Sequence, residues 1–320
     1  MKTRWWVWGL IVLILGSVIG GFYASKRSAS GITAAADTQK QLRSFQYINK
    51  TYMLPVEADR IVVTGALEAL EDLLVLGVRP IGMMTIGGTF PAVFAELASG
   101  TQPVGERMEP SFEAILKLRP DLILSSDKFP AATTAQLEKI APTIPISHFP
   151  NDGEANLRFL GELTGRQDRA EEVLNKYRQS VQAAKKRLGG MAKDKKVVAI
   201  RIRVGNIFIY PENVFYNNIL YTELGLPVPA EIKNVKAQEI ISLEKFSEID
   251  PDYIFLQYES SESPGHPRVM ETLQQNPIWR SMKAVKNNKV FINVVDPLIQ
   301  GVAVGGKIEF LNQAVDKLSQ

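Results

Sequence analysis

The chain has 320 residues, 45% of them apolar, which is enough to bury a substantial core and long enough for about two domains. Its 37 Lys and Arg against 34 Asp and Glu leave a formal charge of +3, so there is no broad basic field of the kind nucleic acid requires. The absence of cysteine excludes disulfides, thiolate metal sites, a cysteine nucleophile and lipid attachment through cysteine, and two histidines, His148 and His266, are too few for a histidine-rich site for a bare transition metal.

Residues 1–24 begin with Lys2 and Arg4 and then run from Trp5 to Ala24, twenty residues without a charge, before Lys26 and Arg27. That length crosses a bilayer as a helix and exceeds a usual signal-peptide core, and Trp5, Trp6 and Tyr23 stand where interfacial aromatics belong. An uncleaved anchor is therefore expected ahead of a cleaved signal, for which Ala34-Ala35-Ala36 offers a distant site. Residues 25–46, rich in Ser, Ala, Lys and Gln, read as a flexible tether.

Residues 47–165 read as a first α/β lobe. Ile61 to Val63 predicts a strand, followed by a helix that stops at Leu76-Gly77 with Pro80 beyond. "PIGMMTI" and "ILSS" read as strand endings, and their loops, Gly87-Gly88 and Asp127-Lys128-Phe129, are of the kind that line a cleft at strand carboxyl ends. Residues 166–190 predict one long helix: Ala170, Val173, Leu174, Tyr177, Val181 and Ala184 keep helical spacing, acids come early, bases come late, and Gly189-Gly190 is the stop. Residues 191–320 read as a second lobe that closes with a helix, a strand and a terminal amphipathic helix.

The two lobes share a repeat. "PSFEAILKLRPDLILSS" from Pro110 and "ISLEKFSEIDPDYIFLQ" from Ile241 align Ser111 with Ser242, Glu113 with Glu244, Pro120 with Pro251, Asp121 with Asp252 and Ile123 with Ile254. Each copy predicts a capped short helix, a Pro-Asp turn and a buried strand, and each follows a strand and a helix ending in Leu-Gly. In the second lobe "VVAIRIRVG" alternates Ile200, Ile202 and Val204 with Arg201 and Arg203. A central strand should be apolar on both faces, so arginines at its carboxyl end imply solvent or an anion in a cleft; Arg203, nearer the strand end, is the preferred candidate.

The segments "EALEDLLVLGVRPIG", "VGERMEPSFEAILKLRPDLIL", "LGELTGRQDRAEEVLNKY", "ISLEKFSEIDPDYIFL" and "NPIWRSMKAVKNNKVF" resemble the iron-siderophore substrate-binding proteins of ABC transporters, of the ferric-hydroxamate type, over most of Ile61 to Leu318. The resemblance implies an α/β fold of two Rossmann-like lobes joined by a single long α-helix, with the ligand in the interlobe cleft. It also implies that Glu113 and Glu244 dock into arginine pockets on paired permease subunits, where helix capping is the residue-level alternative. Arg107 matches the position at which ferric-hydroxamate binders set an arginine against iron-bound oxygens; pairing with Glu106 or Glu109 is the alternative. Lys128 is the third base on offer, and so small a basic set tilts the choice from a trianionic catecholate complex toward a hydroxamate or mixed-ligand siderophore.

Phe129, Tyr210, Phe215, Tyr216, Tyr258 and Trp279 are available as aromatic walls, with Tyr258 best placed just past "YIFLQ". The reading assigns no enzyme activity, no intrinsic cofactor and no direct protein ligand to iron, which the siderophore itself would hold. The expected partners are a ferric siderophore, permease subunits and, through the first helix, the outer face of the cytoplasmic membrane. Heme or cobalamin carriage is the rival within the same transporter class. A ligand-free scaffold is more distant, as is a phosphate-handling enzyme: "GVAVGGKI" fails the P-loop pattern at Ile308, and no G-x-S-x-G signals a hydrolase.

Overall fold

Strands covered on two sides are buried along nearly their whole length, and four runs of the first lobe meet that condition: Ile61–Thr64, Gly82–Thr85, Leu122–Ser126 and Thr143–Ile146. In the computed structural model of the chain, which describes residues 41–56, 58–190, 194–263 and 265–320, they form the parallel body of a six-stranded sheet, extended at one edge by Gln102–Glu106 and Glu109–Pro110. Ile61–Thr64 has Gly82–Thr85 on one side and Leu122–Ser126 on the other. The order therefore reverses beside it, which opens a crevice at the strand carboxyl ends. The second sheet has five strands, with Val197–Arg203, Tyr253–Tyr258 and Val290–Ile292 parallel and Asn206–Ile209 and Glu239–Ile241 added antiparallel.

The repeat is a matched pair of clamps. Helices Phe112–Leu118 and Leu243–Ile249 are seven residues each; Ser111 accepts from the Ala114 amide at one N-terminus and Ser242 from the Lys245 amide at the other. Such a cap is worth about 1 kcal/mol. Both helices end on a left-handed residue ahead of the proline, Arg119 at φ 47° and Asp250 at φ 43°. The Asp of each Pro-Asp then takes the amide of the residue opening the neighbouring strand: Asp121 accepts from Arg60 N–H at 3.1 Å and Asp252 from Lys196 N–H at 2.9 Å. The long side chains of Arg60 and Lys196 return to cap the helix, donating to the carbonyls of Leu118 and Arg119 in one lobe and of Ile249 in the other. The repeated Leu-Gly stops also form, Gly77 at φ 69° and Gly225 at φ 74°. The segments before them differ, an α-helix at Leu67–Leu76 and a π-wound turn at Asn218–Glu223.

Helix Gln167–Leu188 joins the lobes; its 22 residues span about 33 Å, and the six apolar positions named from its spacing are all buried. The final helix, Val304–Leu318, packs on this linking helix and on Leu67–Leu76 and Gly153–Leu163 of the first lobe, so the end of the chain is not confined to the second lobe. Gly306 makes that approach possible, because a Cβ there would lie 2.4 Å from Glu71 Oε2 and Ile299 Cγ2. This is the structural use of "GVAVGGKI". Its Lys307 is buried and donates to the Pro150 carbonyl at 2.9 Å, lies 3.6 Å from Glu223 Oε1, and shares Glu223 with the hydroxyl of Tyr177 on the linking helix.

Residues 42–46, read from sequence as tether, are instead part of strand Leu42–Tyr47, which pairs with Lys50–Pro55. Phe45 and Tyr47 explain the difference: both are buried, and their rings meet Phe159 at centroid distances of 6.4 and 4.5 Å. The expected anchor, residues 1–24, and the tether up to residue 40 lie outside the described residues; among the described residues no helix is long and apolar enough to cross a membrane.

Candidate functional site: a basic cleft between the lobes

The carboxyl ends of the two sheets face one another across a cleft of about 620 Å³. The first lobe contributes Arg107, Met108, Lys128, His148 and Phe149; the second contributes Arg201, Arg203, Tyr210, Lys236 and Glu262. Five bases from both lobes thus converge on one space. An opening of about 560 Å³ lined by Ile202, Leu243 and His266 lies on the other face of the second sheet, away from these arginines.

Arg107 follows strand Gln102–Glu106, and the neighbour that was its alternative partner is already engaged. Glu106 accepts from Thr85 Oγ1 at 2.7 Å and from the Gly87 and Gly88 amides at 2.9 and 2.8 Å. The Thr85 bond foremost holds that carboxyl below its ordinary range. Arg107 forms no ion pair with Glu106 or Glu109, and its Nε is buried without a partner. Burial pulls the Arg107 guanidinium below its usual pKa; Arg201 and Arg203 of the other lobe add to this, while Glu68 and Glu262 oppose it. Lys128 is likewise drawn down by burial, with Glu68 Oε1 4.0 Å from its Nζ acting in the opposite sense.

Arg201 and Arg203, two residues apart on one strand, share a face. Arg201 is 3% exposed and holds Glu262 Oε2 from Nε at 2.8 Å and from a terminal nitrogen at 2.7 Å. Arg203 is more open and lies 3.6 Å from the same oxygen, its Nε buried and without a hydrogen bond. Tyr210 lies beside the pair and stacks on Phe215 at 4.6 Å; burial raises its pKa. Arg201 therefore belongs to the site as much as Arg203. On the opposite wall His148 Nδ1 is 2.7 and 2.9 Å from the Asp127 carboxylate oxygens.

Of the residues singled out from sequence, Arg107, Lys128, Arg203, Tyr210 and Phe215 are brought together, and Phe129, Tyr216 and Tyr258 are not. Phe129 turns inward from the 126–128 turn and fills the space beneath Gly65, in the small core with Val62 and Ile123. Tyr216 lies flat on Phe310 at 3.9 Å, and its hydroxyl donates to the Ile299 carbonyl. Tyr258 is excluded by register: it pairs with Ile202, on the sheet face opposite Arg201. Trp279 is buried near Phe246. Met108, His148, Phe149, Lys236 and Glu262 were not foreseen. His148, Phe149 and Glu262 follow strands Thr143–Ile146 and Tyr253–Tyr258, so the carboxyl-end rule applied to every strand finds them. Lys236 precedes an edge strand and carries no such signal. Among the described residues no group of three or more His, Asp or Glu side chains is arranged to hold a metal ion.

Two lobes with one connecting helix and a cleft at facing strand ends suit a solute-binding protein, and residues 62–293 match the family described as periplasmic binding protein. The chain belongs to that family. This binding protein is 40% identical over 311 residues to the iron-uptake system-binding protein of Bacillus subtilis (strain 168), covering 97% of this chain and 98% of that one. It is 26% identical over 305 residues to the iron(3+)-hydroxamate-binding protein YxeB of the same organism, with 92% and 91% covered. Among solved structures it is similar to FeuA of Bacillus subtilis, the triscatecholate siderophore binding protein complexed with ferri-bacillibactin. The TM-score is 0.83 at 43% identity, covering 87% of this chain and 98% of that chain.

Proposed function

We propose that this binding protein captures a ferric siderophore of the tris-catecholate class in its interlobe cleft and delivers it to an ABC permease for iron uptake. Charge is the observation that carries the reading. Arg107, Lys128, Arg201, Arg203 and Lys236 outnumber the carboxylates beside them, Glu68, Asp127 and Glu262, which leaves the cleft with a positive excess. A ferric ion with three catecholates is a trianion, whereas a ferric trihydroxamate is neutral. The sequence offered three bases and leaned toward the neutral class; five bases favour the anion. Guanidinium groups suit such oxygens because they stay charged when partly desolvated and present donors in a fixed fork. The ligand named for FeuA supports the same class.

The full chain, titrated calorimetrically with a ferric tris-catecholate, a ferric trihydroxamate, ferric citrate, heme and cobalamin, each organic chelator also iron-free, is expected to bind the ferric tris-catecholate tightest and its iron-free form weakly. Arg107→Ala and Arg203→Ala are each expected to weaken it about tenfold or more, the loss of a charge-assisted hydrogen bond. Equal affinity for the neutral trihydroxamate, or heme binding unaffected by both substitutions, refutes the assignment.

The repeat supports permease docking through Glu113 and Glu244. Both side chains are exposed at the second position of their helices, and in each the cap is the serine. Glu113 pairs with Lys117 of its own helix, and Glu244 makes no side-chain hydrogen bond or ion pair among the described residues. The family description, periplasmic, supports a place outside the cytoplasmic membrane; the uncharged run Trp5 to Ala24 supports anchoring there in place of a lipid.

A further inference from the structure

Charge alone cannot distinguish a ferric tris-catecholate from any other trianion of similar size. The first lobe's wall of the cleft carries something besides charge: Phe149 and Met108 are 55% and 50% exposed. Isolated exposed apolar side chains are common on protein surfaces, but Phe149 is held in place from several directions. Its amide donates to Ser147 Oγ at 3.3 Å, and that hydroxyl donates to Asp152 at 2.6 Å. The carbonyl of the next residue, Pro150, is fixed by buried Lys307. Its ring lies 4.2 Å from the His148 ring at 34°, and the Asp127 carboxylate pins that imidazole through Nδ1. The outcome is an aromatic shelf on a hydrogen-bonded backbone, set among cations and backed by His148.

We propose that Phe149, with Met108 on the same wall, is a specificity-determining contact that takes the face of an iron-bound catecholate ring. The inference rests on the tris-catecholate reading above. Offset aromatic stacking and sulfur–aromatic contact reward a planar ring and give nothing to an aliphatic or carboxylate chelate. The bases select the charge of the ligand, and the shelf selects its arene.

Two trianionic probes separate the contributions: the ferric complex of a synthetic hexadentate ligand with three 2,3-dihydroxybenzamide arms, and chromium(III) tris-oxalate, inert and without an aromatic ring. Titrated into the full chain, Phe149→Ala is expected to weaken the aromatic complex about fivefold and to change the oxalate complex less than twofold. Phe149→Tyr, which keeps the ring, is expected to bind both as the parent does. Equal affinity of Phe149→Ala and the parent for the aromatic complex, or equal loss for both probes, overturns the proposal. A parent chain that fails to bind the aromatic complex, or an Arg203→Ala variant that binds it unchanged, overturns the tris-catecholate reading instead.

Discussion

Replacing Lys307 by Met removes one buried ammonium from a point where four parts of the chain meet. The group donates to Pro150 of the first lobe and pairs with Glu223 of the second, which also receives the Tyr177 hydroxyl from the linking helix and Asn218 Nδ2 at 2.9 Å. Burial lowers the pKa of Lys307, and Glu223 is the foremost group opposing that shift. Breaking a buried pair by deleting one partner typically costs about 3–5 kcal/mol. Here Glu223 keeps two donors and is 18% exposed, so about 2–3 kcal/mol is expected, including the orphaned Pro150 carbonyl. For a chain of this size that lowers Tm by about 3–5 °C. Urea denaturation of the parent, Lys307→Met, Glu223→Gln and the double variant tests the argument, with the double variant recovering at least about 1 kcal/mol over Lys307→Met alone. A single variant within about 0.5 kcal/mol of the parent, or a double variant no better than Lys307→Met, refutes it.

Glu71 is buried, and desolvation foremost, then the neighbouring carboxylates Glu68 and Asp72, push its pKa well up. Between the ordinary and raised values the folded chain binds more protons than the unfolded one, so stability falls as pH rises through that window. Glu71→Gln is therefore expected to raise the urea midpoint more at pH 8 than at pH 4, and an equal gain at both would show that the carboxylate is not the source. Glu113→Ala and Glu244→Ala are expected to bind ferric tris-catecholate within about twofold of the parent while iron uptake by cells falls about tenfold. Loss of ligand affinity in either variant would return that glutamate to a purely structural role.

The repeat was legible because its chemistry is local. A serine before an apolar period and a Pro-Asp after it dictate a cap and a stop wherever they occur, and the strand that follows must be buried. The partners of those aspartates, Arg60 and Lys196, were not legible, since each lies 56 or more positions away in the chain. The site divides along the same line. Arg201 and Arg203 stand on one strand face, so the strand pattern put both at the cleft, and nearness to the strand end picked out Arg203, the more open of the two, while Arg201 is taken up by Glu262. For Tyr258 the place at a strand end was right, but only the register with Ile202 fixes which face it takes. Phe129 and Tyr216 were aromatic residues near the right loops whose rings the core claimed. Lys236, which adds to the positive charge of the cleft from ahead of an edge strand, had no pattern of its own.

The packing of the final helix has a consequence for how the protein is made. Its fifteen residues cover helices Leu67–Leu76 and Gly153–Leu163, which are synthesised far earlier. During translation the first lobe therefore has its strands and most of its core residues but lacks the surface that seals its outer helices until the last stretch of the chain emerges. A nascent chain held short of Val304 therefore leaves the faces of those two helices that the final helix covers open to solvent.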